Sequence, residues 1–172
     1  MKKALGGLGV VLVVALAGFG WLGGLSPVAV VEREMGPYQF VYLQEASTDP
    51  AKIGELTRTL GDRLEAAGIV ARKPAQEYYP MGRGLQNQIG FMVEQPVNRD
   101  VLGTETYFRA VPLQRYMVVS FPFRSRLSYL VGQFRVGPAL AAHRAQQKYA
   151  ETSTMIILDG DRILYLEPIS PA

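Results

Sequence analysis

The 172-residue sequence contains no cysteine. That absence removes disulfides, thiolate nucleophiles, lipobox acylation and cysteine metal sites together. Histidine occurs once, as His143. A multi-histidine metal centre is therefore excluded, although a carboxylate site for a hard cation is not. Excess charge is also scarce: of 18 basic residues two are Lys2 and Lys3, which leaves 16 against 15 acids. Nucleic-acid binding needs clustered Lys and Arg, and this balance argues against it. With one histidine and no thiol, a Ser-His-Asp or Cys-His arrangement has little to build on, and no catalytic residue, metal or cofactor is assigned.

What is present begins with an apolar run. Residues 4–25 carry no charge, after Lys2 and Lys3. A helix over 5–25 would measure about 31 Å at about 1.5 Å per residue, enough to cross a bilayer core. Trp21 falls near its far end, where an interfacial aromatic sits, and the two lysines favour an N-terminus in the cytoplasm. The expectation is a single-pass anchor in a bacterial inner membrane, with the following domain exported. The alternative is a signal peptide cleaved near Ala17, where Ala15-Leu16-Ala17 supplies small residues, leaving a periplasmic or secreted domain. The division is residues 1–27 for the anchor and 28–172 for the domain.

That domain, 48% hydrophobic and 19% charged over the whole chain, has a globular composition. A Val-, Tyr- and Phe-rich stretch at 28–46 reads as strand, bent at Gly36-Pro37. A helix follows: Asp49 suits the N-cap, Pro50 the first turn and Gly68 the stop, with Ile53, Leu56, Leu60, Leu64 and Ala67 on one face. Two strands then flank a loop around 81–86 containing Gly82 and Gly84. The second half repeats this order. A strand-rich stretch at 106–124 precedes a helix with Leu127, Val131, Phe134, Ala141 and Ala145 on one face, which Pro138 should kink or divide. A hairpin turns at Asp159-Gly160. "IGFMVEQPV" at 89–97 and "ILYLEPIS" at 163–170 then read as the last strands of two copies. The expected fold is α+β: duplicated βαββ units in one antiparallel sheet, both helices on one face, after an N-terminal transmembrane helix.

"EREMGPYQFVYLQ", "IGFMVEQPV", "PLQRYMVVSFPFRSRLSYLVG" and "ILYLEPI", in that order with a helix and a Tyr-rich strand between, resemble the GyrI-like small-molecule-binding domain over roughly 28–169. That family supplies effector-binding modules of multidrug-responsive regulators and is related to the SOUL haem-binding fold. The resemblance implies a cleft between the repeats, lined by aromatics, in which a buried glutamate meets cationic lipophilic ligands. The chain departs from the family at the turn before the first helix, "QEASTDPAKI", and at "EYYPMGRG", both near the implied cleft mouth. No helix-turn-helix precedes the domain, so a transcription-factor role finds no support.

The candidate site follows from these phrases. Glu94 and Glu167 each end an apolar run before a proline. In an aromatic cleft a carboxylate would be poorly solvated and would gain from an organic cation; at a strand end it would be an ordinary solvated charge. Tyr79, Phe91, Tyr107, Phe121 and Tyr165, with Tyr78, Tyr116 and Phe123, would wall the cleft or serve as core and cross-strand pairs. His143, in a polar segment late in the second helix, reads as a surface residue rather than a haem ligand. The arginines of "FRSRLS" and "FRVG" would meet an anionic ligand or lipid head groups, or remain solvated. The leading expectation is an extracytoplasmic module binding an amphipathic or cationic small molecule. The alternatives are a hydrolase using Glu94 or Glu167 as general base, and an accessory membrane protein holding a peptide or partner.

Overall fold

Strand pairing resolves the apolar alternation into one eight-stranded sheet, antiparallel at every junction. The computed structural model describes residues 2–45, 50–70, 72–78, 87–98, 102–103 and 105–171, with the side chains of its first helix from residue 12 onward. In chain order the elements are α1 (Lys2–Trp21), β1 (Val31–Met35), β2 (Tyr38–Glu45), α2 (Pro50–Ala66), β3 (Arg72–Tyr78) and β4 (Asn87–Val93), then β5 (Tyr107–Val111), β6 (Gln114–Pro122), α3 (Leu127–Gln147), β7 (Thr154–Asp159) and β8 (Arg162–Pro168).

The spatial order β1-β6-β8-β7-β3-β4-β2-β5 reads the same from both ends when the two halves are exchanged. The units β2-α2-β3-β4 and β6-α3-β7-β8 are the expected duplication, joined where β3 pairs with β7. The strand-rich stretches before each unit are split in two. Gly36-Pro37 sends β1 to the far edge beside β6, and Pro112 sends β5 to the opposite edge beside β2. The two turns touch: Gly36 has φ +102°, and a Cβ there would lie 2.7 Å from the Pro112 carbonyl oxygen. Each copy thus lends its leading strand to the other, which the sequence reading did not foresee.

Both helices cover the same face of the sheet. On α2, Leu60 and Leu64 are fully buried against Val41, Phe91 and Val93. Its end follows the expected chemistry: Gly68 takes φ +77°, and the Ile69 N–H donates to the Leu64 carbonyl at 2.8 Å. Asp49 and the 81–86 loop lie outside the described residues. On the opposite face Phe40, Tyr42, Met92, Tyr116, Val118 and Leu166 form one cluster. Five strand intervals separate β6 from β2, about 24 Å in a flat sheet. Side chains from both ends nevertheless meet, so the sheet curls around this face.

Helix α3 departs from expectation twice. It runs undivided through Pro138, which faces outward and is exposed. The buried face is Ser128, Gly132, Val136 and Leu140, not the more apolar Leu127–Ala145 seam, of which only Val131 is partly packed. Close approach is the reason: a Cβ on Gly132 would run into the Tyr165 hydroxyl, so only a small residue fits there. The seam is left outside. For the N-terminus, no helix among the described residues is long and apolar enough to cross a membrane. The chain leaving α1 does pack on the domain, with Gly23 and Gly24 buried, Gly23 against Phe121 and Pro122, and Val28 and Val30 against the α3 side of the core.

Candidate functional site

The curled face carries a carboxylate that the sequence reading passed over. On β3 the residues facing away from the helices are Lys73, Ala75 and Glu77, since Ala75 pairs with Ile157 and Glu77 with Met155. Glu77 is 2% exposed. One carboxylate oxygen accepts from the Ser153 hydroxyl at 2.6 Å, and the other from the Arg109 guanidinium. Arg109 reaches from β5 across the face of Phe40, its guanidinium carbon 5.7 Å from the ring centre. Its Nε is buried without a hydrogen-bond partner. A buried carboxylate requires such compensation, because an uncompensated charge there would neutralise itself.

Aromatic rings surround this pair. Phe40 stacks on Tyr42 with centroids 4.9 Å apart, and Tyr42 on Tyr107 at 5.6 Å. From the other half, Tyr116 comes close enough to Glu77, Arg109 and Tyr38 to feel their charges, and burial pushes its hydroxyl pKa up. Tyr38 and Tyr116 occupy matching places in the two copies. The ion pair does not recur: by the pairing registers the counterpart of Glu77 is Asp159, which meets Lys73 instead, and that of Arg109 is Val31. The duplication has kept only this tyrosine pair: Phe40 and Tyr42 correspond to Val118 and Ser120, so the stacked rings and the ion pair lie together on one side of its axis. At the rim, a cleft of about 260 Å³ is lined by Tyr38, Val70, Arg72, Lys73, Met92 and Glu94.

The residues singled out from sequence divide between the two faces. Tyr107 lies on the curled face and is partly exposed. Glu94 follows β4, is exposed, and borders the rim cleft. Tyr79 lies outside the described residues. Phe91 packs under α2, and Phe121 and Tyr165 pack under α3, so these three fill the sheet–helix core instead of lining the curled face. Glu167 also points to the helices. It is buried, accepting from Arg144 at 2.8 Å and from the Thr154 hydroxyl at 2.8 Å. With both oxygens engaged on the helix side, it does not meet Glu94 across a cleft. Nor is His143 a free surface group, since its Nε2 lies 3.0 Å from Glu32.

The two rhyming phrases explain the misplacement. Matching β3–β4 to β7–β8 through their registers makes Gly90 equivalent to Leu164, hence Val93 to Glu167 and Glu94 to Pro168. The phrases are one residue out of step, and a one-residue slip in a strand exchanges its faces.

No family model matches the sequence, and no curated protein matches it. Solved structures do share the fold. The C-terminal domain of EcmrR aligns with TM-score 0.64 at 11% identity, over 84% of this chain and 99% of that one. An integron cassette protein from the mobile metagenome of Vibrio cholerae gives TM-score 0.54 at 14% identity, over 81% and 95%. SAV2435 bound to tetraphenylphosphonium gives TM-score 0.52 at 11% identity, over 83% and 94%. At these identities the likenesses show a shared fold.

Proposed function

We propose that this chain is a small-molecule-binding module for a lipophilic organic cation, received on the curled face with Glu77 as its counter-charge. One observation carries the reading: a nearly fully buried carboxylate among stacked aromatics, already holding a cation in Arg109. The Arg109 guanidinium sits over Phe40 and against Glu77, the two contacts an aromatic-caged ligand cation would make. It acts as a resident stand-in that a ligand must displace. Support from likeness comes from SAV2435, a structure of the same fold that holds tetraphenylphosphonium.

The anchor belongs to the same proposal. Residues 4–25 are uncharged, α1 extends over Lys2–Trp21, and its described side chains Leu12, Val13, Val14 and Leu16 are exposed. No helix among the described residues is by itself long and apolar enough to cross a membrane, so the proposal rests on the uncharged run 4–25 as a whole, which would enter lipid with Lys2 and Lys3 on the cytoplasmic side and the domain outside. The binding claim is tested by titrating tetraphenylphosphonium into the full chain in detergent, by calorimetry. Saturable binding is expected, tightened about tenfold in Arg109→Ala, equivalent to about 1.4 kcal/mol. No saturable heat with either protein would sink the proposal.

A further inference from the structure

The seam that α3 leaves outside is long, apolar and uninterrupted. Leu127, Leu130 and Phe134 are 59%, 54% and 75% exposed, and Pro138, Ala141 and Ala145 continue the line outward. At three- and four-residue steps these six occupy one face over five turns, about 27 Å. An exposed apolar strip of that extent marks an interaction surface. The matching helix of the other repeat has nothing like it: α2 contributes no exposed large hydrophobic residue and mixes Lys52, Glu55, Arg58, Asp62, Arg63 and Glu65. The difference is therefore a property of α3 and not of the fold.

Charge identifies what covers the strip. Between residues 124 and 150 the chain carries Arg124, Arg126, Arg135, Arg144 and Lys148 and no acidic residue. Successive side chains turn by about 100°, so Arg126 and Lys148 flank the strip on one side and Arg135 on the other, while Arg144 is turned to Glu167 and Glu151. Two copies of such a helix would repel each other, whereas an anionic lipid surface would attract it. An apolar face edged by cations that can snorkel is the pattern of a helix lying in a membrane interface. A second, independent observation gives the position. The Arg135 guanidinium donates to the Ser26 carbonyl at 3.2 Å, so the chain leaving α1 runs beside α3, and Leu25 there is 74% exposed.

We infer that the outer face of α3 lies on the bilayer surface, its apolar seam in the acyl boundary and its arginines against anionic phospholipid headgroups. The inference rests in part on the proposed anchor, which brings α3 to the membrane. Docking in this way fixes the orientation of the domain instead of leaving it to swing on a tether.

The absence of native cysteine makes the test direct. Single cysteines replacing Leu130, Phe134, Val13 and, as a control on α2, Arg58 are spin-labelled in the full chain. The proteins are reconstituted in nanodiscs of phosphatidylcholine with phosphatidylglycerol. Accessibility to oxygen, which concentrates in lipid, is compared with accessibility to an aqueous nickel chelate. Docking predicts that the labels at 130 and 134 lose nickel accessibility and gain oxygen accessibility relative to 58, and that discs of phosphatidylcholine alone weaken the effect. Labels at 130 and 134 as aqueous as that at 58, with 13 in lipid, overturn docking and leave the anchor standing. Aqueous labels at all four positions overturn both. Spin–spin coupling between copies at 130 or 134 assigns the seam to self-association and also overturns docking.

Discussion

At the scale of single residues, side-chain size and face decide more than residue type. Gly132 shows this with a definite sign. Glycine inside a helix ordinarily costs up to about 1 kcal/mol relative to alanine, so Gly132→Ala would stabilise an unconstrained helix. Here the added methyl would strike the Tyr165 hydroxyl. Overpacking of a filled core costs about 1–3 kcal/mol, so the substitution is expected to lower stability. Chemical denaturation of the full chain in detergent measures the sign, and a gain would mean that α3 does not seat as described. The same site explains what the sequence hid. Leu127, Phe134 and Ala141 make the more apolar periodic face of α3, yet the helix buries Ser128 and Gly132, because only small residues admit it close to the sheet. Glu77 was hidden otherwise. On β3 polar residues alternate on both faces, as Lys73 and Glu77 on one and Gln76 and Tyr78 on the other, so no hydrophobic pattern states which side is inward. That is decided by pairing with β7, about eighty residues away.

At the scale of elements, the α3 side of the core contains phenols whose ionisation opposes folding. Burial pushes Tyr78 up to about 12 and raises Tyr129 and Tyr165, while Gln133 on α3 donates to the Tyr78 hydroxyl. A folded-state pKa above the unfolded value of about 10 gives stability that is complete below pH 10. It is lost as pH rises through about 12. Denaturant midpoints should therefore fall across that window, and Tyr78→Phe should flatten part of the fall, by on the order of 2 kcal/mol at most. An unchanged slope in Tyr78→Phe would contradict its burial. The link between β1 and α3 has the opposite sense. The His143 hydrogen bond, aided by Tyr149 and Arg115, holds the Glu32 carboxyl below its usual value against partial desolvation. A lowered carboxyl pKa contributes stability above the unfolded value that is lost as pH falls through the folded one. Glu32→Gln should accordingly lessen the acid sensitivity of the borrowed strand β1, read by hydrogen exchange of its amides.

At the scale of the whole molecule, the duplication was legible because the order strand, helix, strand, strand recurs, with α2 bounded by Pro50 and Gly68 in the first copy and a hairpin turned at Asp159-Gly160 in the second. The exchange of leading strands was not legible, since the turns at Gly36-Pro37 and Pro112 say that the chain bends and not which edge it joins. That exchange has a functional consequence. It brings Arg109, on a strand preceding the second repeat, onto the face of the first, where it meets Glu77. Repeat symmetry thus supplies the matched Tyr38 and Tyr116, while the stacked rings and the Glu77–Arg109 pair lie on the first repeat's side alone.

The central claim is that Glu77, and not either glutamate at the end of a rhyming phrase, is the counter-charge for a bound cation. The most direct measurement is tetraphenylphosphonium affinity of three variants of the full chain, Glu77→Gln, Glu94→Gln and Glu167→Gln, each checked for native thermal unfolding. The account predicts a loss of about tenfold or more in Glu77→Gln, or about 1.4 kcal/mol. Glu94→Gln should bind nearly as the parent does. Glu167→Gln should bind likewise while unfolding more readily, because Arg144 loses a buried partner. Retained affinity in Glu77→Gln together with a loss in Glu94→Gln would contradict the account and move the site to the rim cleft.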